Sequence, residues 1–360
     1  PAKMAPGKSR MEIAAVALDS ESWRLVGEPS QVELESRTAA FVVKTTLVPL
    51  YVAVEDRKRN RFVTGLDKQA FVLKESGRAE AIAHFEKDTD DPVTAAIVID
   101  ESRRMAPHLG VARVALADFA ASLRPIDQGF VVGFDRQVAL RTDLTRCKGC
   151  LVAGVLGSRS VATAEVNPSG RLMDALEAAA FRLSSHDGRK ILVVASHGSD
   201  SGSRIGADRI AELARRFGVM VYAFGVNVNE AVSDAEMAKI TTDPGAAEKV
   251  LKAAGFGKLY REKDDEREDI KDRFEERQRT GSTLEALAGA SGGRAYLFDA
   301  TKDTPIDMTV AVKVLRNELA HQYFVGYYSS DAESRGLREI EVSLPGKPYR
   351  VRGRSAYVPQ

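Results

Sequence analysis

Cysteine is nearly absent: Cys147 and Cys150 are the only two in 360 residues. A lone Cys147-Lys148-Gly149-Cys150 motif offers too few ligands for a structural zinc, and no histidine follows Cys150 to mark haem attachment. The neighbouring pattern discloses no strand-to-helix junction of the thioredoxin kind. A small disulfide and two free thiols both remain open, and the disulfide would favour an extracytoplasmic home. An excess of one charge is missing too. With 52 Lys and Arg against 51 Asp and Glu, the net +1 gives no overall field to draw in nucleic acid or an anionic membrane. No run approaches the roughly 20 apolar residues of a spanning helix. The opening Pro1-Ala2-Lys3-Met4-Ala5-Pro6 lacks an apolar core of the signal-peptide kind. The expected location is the periplasm or the exterior after removal of a leader, with the cytosol as the alternative. There is no Walker loop and no G-x-G-x-x-G, and Gly198-Ser199-Asp200-Ser201-Gly202 places aspartate where a nucleophile elbow needs serine. His84, His108, His186 and His321 are scattered, with no zinc or Ser-His-Asp spacing legible.

What the chain does have is Asp91 to Met105, an apolar run of Val, Ile and Ala closed by Asp100-Glu101-Ser102. Such a run suits a buried parallel strand, whose carboxyl end is where ligands bind in open α/β sheets. Upstream, residues 1 to 38 read as an irregular arm. From residue 39 to 90 the β-branched and aromatic residues of Phe41 to Asp56, Phe71 to Lys74 and Ala81 to Phe85 predict antiparallel strands.

Strand and helix then alternate. A helix carries Leu109, Ala112, Leu116, Phe119 and Leu123 and stops at Pro125. A hairpin joins Gly129 to Phe134 with Gln137 to Leu144, and a helix covers Arg171 to Leu183. Strands follow at Lys190 to Ala195 and Val219 to Gly225, with a helix between them carrying Ile205, Ile210, Leu213 and Phe217 on one face. Residues 228 to 281 break the rhythm with a run of mixed charge from Lys258 to Arg279, read as an outward insertion. Helix Ser282 to Ala290, strand Arg294 to Phe298 and helix Thr304 to Gln322 resume it. Strands at Tyr323 to Tyr328, Leu337 to Leu344 and Tyr349 to Tyr357 close the chain. The expected architecture is a doubly wound, mostly parallel α/β sheet over 91 to 322. It is inserted in a small antiparallel β-sandwich built from 39 to 90 plus 323 to 360.

Several motifs resemble the von Willebrand factor A (VWA) family. Ile97-Val98-Ile99-Asp100-Glu101-Ser102-Arg103-Arg104-Met105 is similar to its strand and Asp-x-Ser-x-Ser loop. Gly133-Phe134-Asp135 resembles its second strand end, and Leu172-Met173-Asp174-Ala175-Leu176 the helix after its threonine loop. Val63-Thr64-Gly65-Leu66 and Gln322-Tyr323-Phe324-Val325-Gly326-Tyr327-Tyr328 resemble the bacterial VWFA-related subfamily, over about residues 45 to 358 apart from the insertion. The resemblance implies a Rossmann-like fold and a metal-ion-dependent adhesion site that holds Mg²⁺ on oxygen ligands and lets a partner carboxylate complete it. Asp100 and Ser102 keep the expected ligand types as a remnant metal site. Arg104 stands at the second serine, Gly170 at the threonine with Ser169 beside it, and His197 at the second aspartate. A guanidinium has no lone pair for a cation and would repel one. The expectation is therefore no cofactor, Mg²⁺ being the one candidate, with Arg104 set against Asp100 in place of the ion. His197 reads as a solvent-facing loop residue rather than a ligand.

The implied function is a non-enzymatic protein-interaction module. Its degenerate site, Asp100, Ser102, Arg104, Ser169 and His197, would meet an acidic group of another protein. The alternative is a structural subunit of an envelope or membrane-associated complex, docking through residues 228 to 281 and the N-terminal arm. A Rossmann-like hydrolase using Asp100 and His197 is a third reading, for which no nucleophile-base-orienter set is legible. Asp100 and Ser102 also have a plain local reading, as caps of the helix that follows.

Overall fold

The computed structural model describes residues 5–13, 30–38, 47–59, 61–159, 170–227, 283–300, 306–330 and 336–359. The charged insertion expected at 228 to 281 lies outside the described residues, as does Ser169.

The chain divides into two units, Pro1–Thr46 and Leu47–Gln360. In the first, β1 (Ala5–Ile13) pairs antiparallel with β2 (Ser30–Thr38), from Ala5 opposite Thr38 to Ile13 opposite Ser30. Residues 5–13 and 30–38 of the expected arm are therefore paired strands of 9 residues each.

In the second unit, Val93–Asp100 forms β8, buried at every position. Alternate residues serve opposite faces: Val93, Ala95, Ile97 and Ile99 pack into one apolar cluster, Ala96 and Val98 into another. Both faces must be covered, which is why the run is continuously apolar. The sheet runs β10-β9-β8-β11-β12-β13, with β9 Gln128–Phe134, β10 Val138–Thr145, β11 Arg189–Ser196, β12 Val219–Asn227 and β13 Arg294–Asp299. Only β10 is antiparallel. Helices α1 (Leu109–Ser122), α2 (Lys148–Leu156) and α6 (Thr309–Ala320) supply the first cluster. Helices α3 (Leu172–Ser184), α4 (Ala207–Phe217) and α5 (283–291) supply the second. The strand order reverses between β8, whose chain continues to β9 on one side, and β11 on the other. The crevice beyond the carboxyl ends of these two strands is the fold's natural binding position.

The antiparallel strands form two further sheets. One is β16-β3-β14-β7, from Arg350–Arg352, Leu47–Asp56, Tyr323–Tyr328 and Ile82–Glu86, with β4 (Arg61–Phe62) on β3. The other is β17-β15-β5-β6, from Ala356–Tyr357, Arg338–Ser343, Val72–Glu75 and Arg78–Glu80. Both contribute to one apolar cluster that includes Val52, Leu73, Tyr323, Tyr327 and Ile340.

Two expectations need correction. The last strand is not continuous: β16 pairs with β3 while β17 pairs with β15, so the chain changes sheets at Gly353. Helix α2 was not legible at all, because Gly149 and Gly154 dilute its pattern. Gly154 is needed there, since a Cβ would come within 1.9 Å of Thr142 Oγ1 on β10. Cys147 caps α2, accepting from the Cys150 amide at 3.1 Å, and the two cysteines form a disulfide. The CxxC motif thus does stand at a strand-to-helix junction.

Candidate functional site

Asp100 ends β8 and is fully buried. Its carboxylate gathers donors from two loops. The Ser102 amide donates to Oδ1 at 2.9 Å, and the Ser196 hydroxyl donates to Oδ2 at 2.7 Å. His197 Nδ1 lies 2.9 Å from the same Oδ2. Burial alone would push the Asp100 carboxyl up; the hydrogen bond and charge of His197, with the bonds from Ser102 and Ser196, outweigh it and hold the group below the usual carboxylate range.

The His197 side chain is only 6% exposed. It is therefore no solvent-facing loop residue: its ring is clamped between Asp100 and Ser199, whose Oγ is 3.2 Å from Nε2. Arg104, on the exposed turn after β8, donates to Ser199 Oγ at 2.7 Å. His197 meets the buried Asp100 carboxylate directly, and Arg104 is linked to the pair through Ser199. A guanidinium only donates and a carboxylate only accepts. Arg104, Ser199, His197 and Asp100 thus form one continuous chain of polar contacts from the surface to the buried carboxylate.

The capping reading of Asp100 and Ser102 does not hold. Helix α1 begins at Leu109, with His108 at its N-cap, and Asp100 turns its carboxylate to Ser102, Ser196 and His197 instead. Glu101 between them is buried and forms a bidentate pair with Arg141 of β10, one arm at 3.1 Å. This explains Gly133, where a Cβ would stand 2.5 Å from Glu101 Oε1.

Asp200, in the loop after β11, serves another helix: its Oδ2 accepts from the Met173 amide at 3.2 Å, while Ser203 Oγ accepts from the Asp174 amide at 3.0 Å. A carboxylate from this loop thereby meets the amide-rich start of α3. Gly170, beside the undescribed Ser169, accepts from Ser201 and Gly202 at 3.3 and 3.1 Å, which pins the two loops together. Of the predicted site residues, Asp100, Ser102, Arg104 and His197 converge. Ser196 and Ser199 were not predicted, and the only sequence signal for them was their place at a strand's carboxyl end.

No family model and no curated protein matches the chain. Among solved structures, it is similar to an aerotolerance-related membrane protein from Bacteroides fragilis, with 14% identity over 63% of this chain and 98% of that one and a TM-score of 0.40. The SpRpn10 VWA domain matches at 11% identity over 62% and 95%, TM-score 0.35. Proximal thread matrix protein 1 from the mussel byssus, with a zinc-occupied MIDAS motif, matches at 18% over 38% and 36%, TM-score 0.33. By its strand order the unit from β8 to β13 is a doubly wound, mostly parallel α/β sheet, and its loops gather Asp100, Ser102 and His197 at the switch point.

Proposed function

We propose that this chain is a protein-interaction module whose partner docks on the loops at the carboxyl ends of β8 and β11. Arg104 would supply the positive charge that the adhesion site of a VWA domain takes from a metal. The observation that carries this reading is the exposed Arg104 guanidinium, fixed on Ser199 above the buried Asp100–His197 pair. The residues present do not fit Mg²⁺, which asks for about six oxygen ligands in a rigid octahedron. Both Asp100 oxygens already accept hydrogen bonds, an imidazole takes the place of an oxygen ligand, and a guanidinium stands over the site. An acidic group of the partner would form a forked, charge-assisted pair with Arg104 beside Ser102. In this reading the antiparallel sheets from 39 to 90 and 323 to 360 are a sandwich that carries the domain of residues 91 to 322. The Cys147–Cys150 disulfide supports an extracytoplasmic location, since such bonds persist in oxidising compartments.

The test is capture of the natural partner from the native source with wild type and Arg104→Glu. The variant should lose the partner, a fall of at least about 10²-fold in affinity from truncating and reversing a charge pair, with its melting temperature nearly unchanged. Capture unaffected by Arg104→Glu would move the interface elsewhere, first to residues 228 to 281.

A further inference from the structure

Ser199, His197 and Asp100 hold a second capacity that partner docking does not require. We infer that Ser199 is an activated nucleophile able to take an acyl group from a carboxylic ester. Three features carry the inference. His197 Nε2 is 3.2 Å from Ser199 Oγ, and His197 Nδ1 is 2.9 Å from Asp100 Oδ2, which is the spacing of a nucleophile, a base and its orienter. Attack uses the tautomer with its proton on Nδ1, facing Asp100 Oδ2, which leaves Nε2 to take the Ser199 proton while Arg104 holds Oγ in place at 2.7 Å. Asp100 is buried and itself fixed by Ser102 and Ser196, so the orienter cannot rotate away.

The same guanidinium supplies the electrostatic element. A carbonyl carbon bonded to Oγ carries its oxygen two bonds from that atom, within reach of a donor standing 2.7 Å from Oγ. One guanidinium in place of paired backbone donors suits carbonyls with a good leaving group, esters rather than amides. Ser199 is only 7% exposed, which favours a short acyl chain. Attack forms the Oγ–C bond as the Ser199 proton passes to Nε2. That proton then moves to the departing alkoxide as its C–O bond breaks, releasing alcohol. Water gives a proton to Nε2 and cleaves the acyl group as the free acid, and the proton returns to Oγ. Ester and water thus leave as alcohol and acid, with the protein restored.

The test treats the full 360-residue chain with a fluorophosphonate, which trades fluoride for Oγ on an activated serine, and with para-nitrophenyl acetate. Wild type should carry the phosphonyl group on Ser199 by peptide mass spectrometry and release nitrophenolate with a burst. Ser199→Ala should do neither, His197→Gln should slow labelling about 10²- to 10⁴-fold, and Ser201→Ala should react as wild type. Melting temperatures recorded for each variant separate loss of chemistry from loss of fold. Folded wild type that labels no faster than folded Ser199→Ala overturns the inference. Because no partner enters the assay, that failure leaves the Arg104 docking test untouched.

Discussion

Replacing Arg352 with methionine is expected to cost about 3–5 kcal/mol, the range for stranding one member of a buried ion pair. Arg352 of β16 reaches from the antiparallel sheets into the α/β unit. Its guanidinium pairs with Glu318 of α6 and, at 2.9 Å, with Glu55 of β3, and it donates to the Gly292 and Gly293 carbonyls at 3.2 and 3.0 Å. Burial alone would make the guanidinium easier to deprotonate; the charge and hydrogen bond of Glu318, with the charge of Glu55, reverse this and raise it above the usual arginine range. Glu318 is fully buried, and without Arg352 it would keep the Tyr222 hydroxyl at 2.6 Å and Arg294 only at 4.0 Å. A net carboxylate charge would then sit in the interior, which is the expensive outcome. Urea unfolding at neutral pH measures the loss. A difference below about 1 kcal/mol, the size of an exposed pair, would show that the cluster is solvated and does not join the sheets.

Beside it, Gly293→Ala is expected to cost more than about 4 kcal/mol or to abolish soluble protein, the mark of a backbone collision. A Cβ at residue 293 would lie 1.9 Å from the Val221 carbonyl oxygen and 2.6 Å from its carbon. No side chain can swing aside to relieve this, because the obstacle is the β12 backbone and the glycine enters β13, its parallel neighbour. Gly289→Ala is the internal control. It sits in α5 with nothing within 4 Å of a built Cβ, so alanine should be neutral or stabilise by about 0.5–1 kcal/mol through helix propensity. Parallel thermal melts of the two variants decide: equal melting temperatures would refute the close approach of β12 and β13 on which the sheet edge depends.

The sheet was legible wherever local pattern and burial agree. The apolar runs of β8, β11 and β12 could belong only to strands covered on both faces, and α1 and α3 announced their buried residues by spacing. Legibility failed where a long-range contact decides the local outcome. Gly154 looks like a helix breaker until Thr142 is seen against it, and Gly353 looks neutral until the chain is seen to leave one sheet for another. The site follows the same rule. Asp100 and Ser102 were recoverable because the end of a buried strand is a known position. The burial of His197 was not, since its partner Asp100 is 97 residues away and the local Ser-His-Gly stretch resembles any exposed loop. Ser199 is a further step removed: its role depends on Arg104, 95 residues distant, and on a histidine whose orientation is set elsewhere.

Whether an arginine and a histidine have taken the place of a cation is tested most directly by Mg²⁺ titration calorimetry on chelator-treated protein, with Asp100→Ala as reference. Wild type should give only dilution heats, indistinguishable from the variant, since Asp100 spends its oxygens on Ser102, Ser196 and His197. A saturable isotherm in the micromolar range that disappears in Asp100→Ala would contradict this and restore the metal to the site.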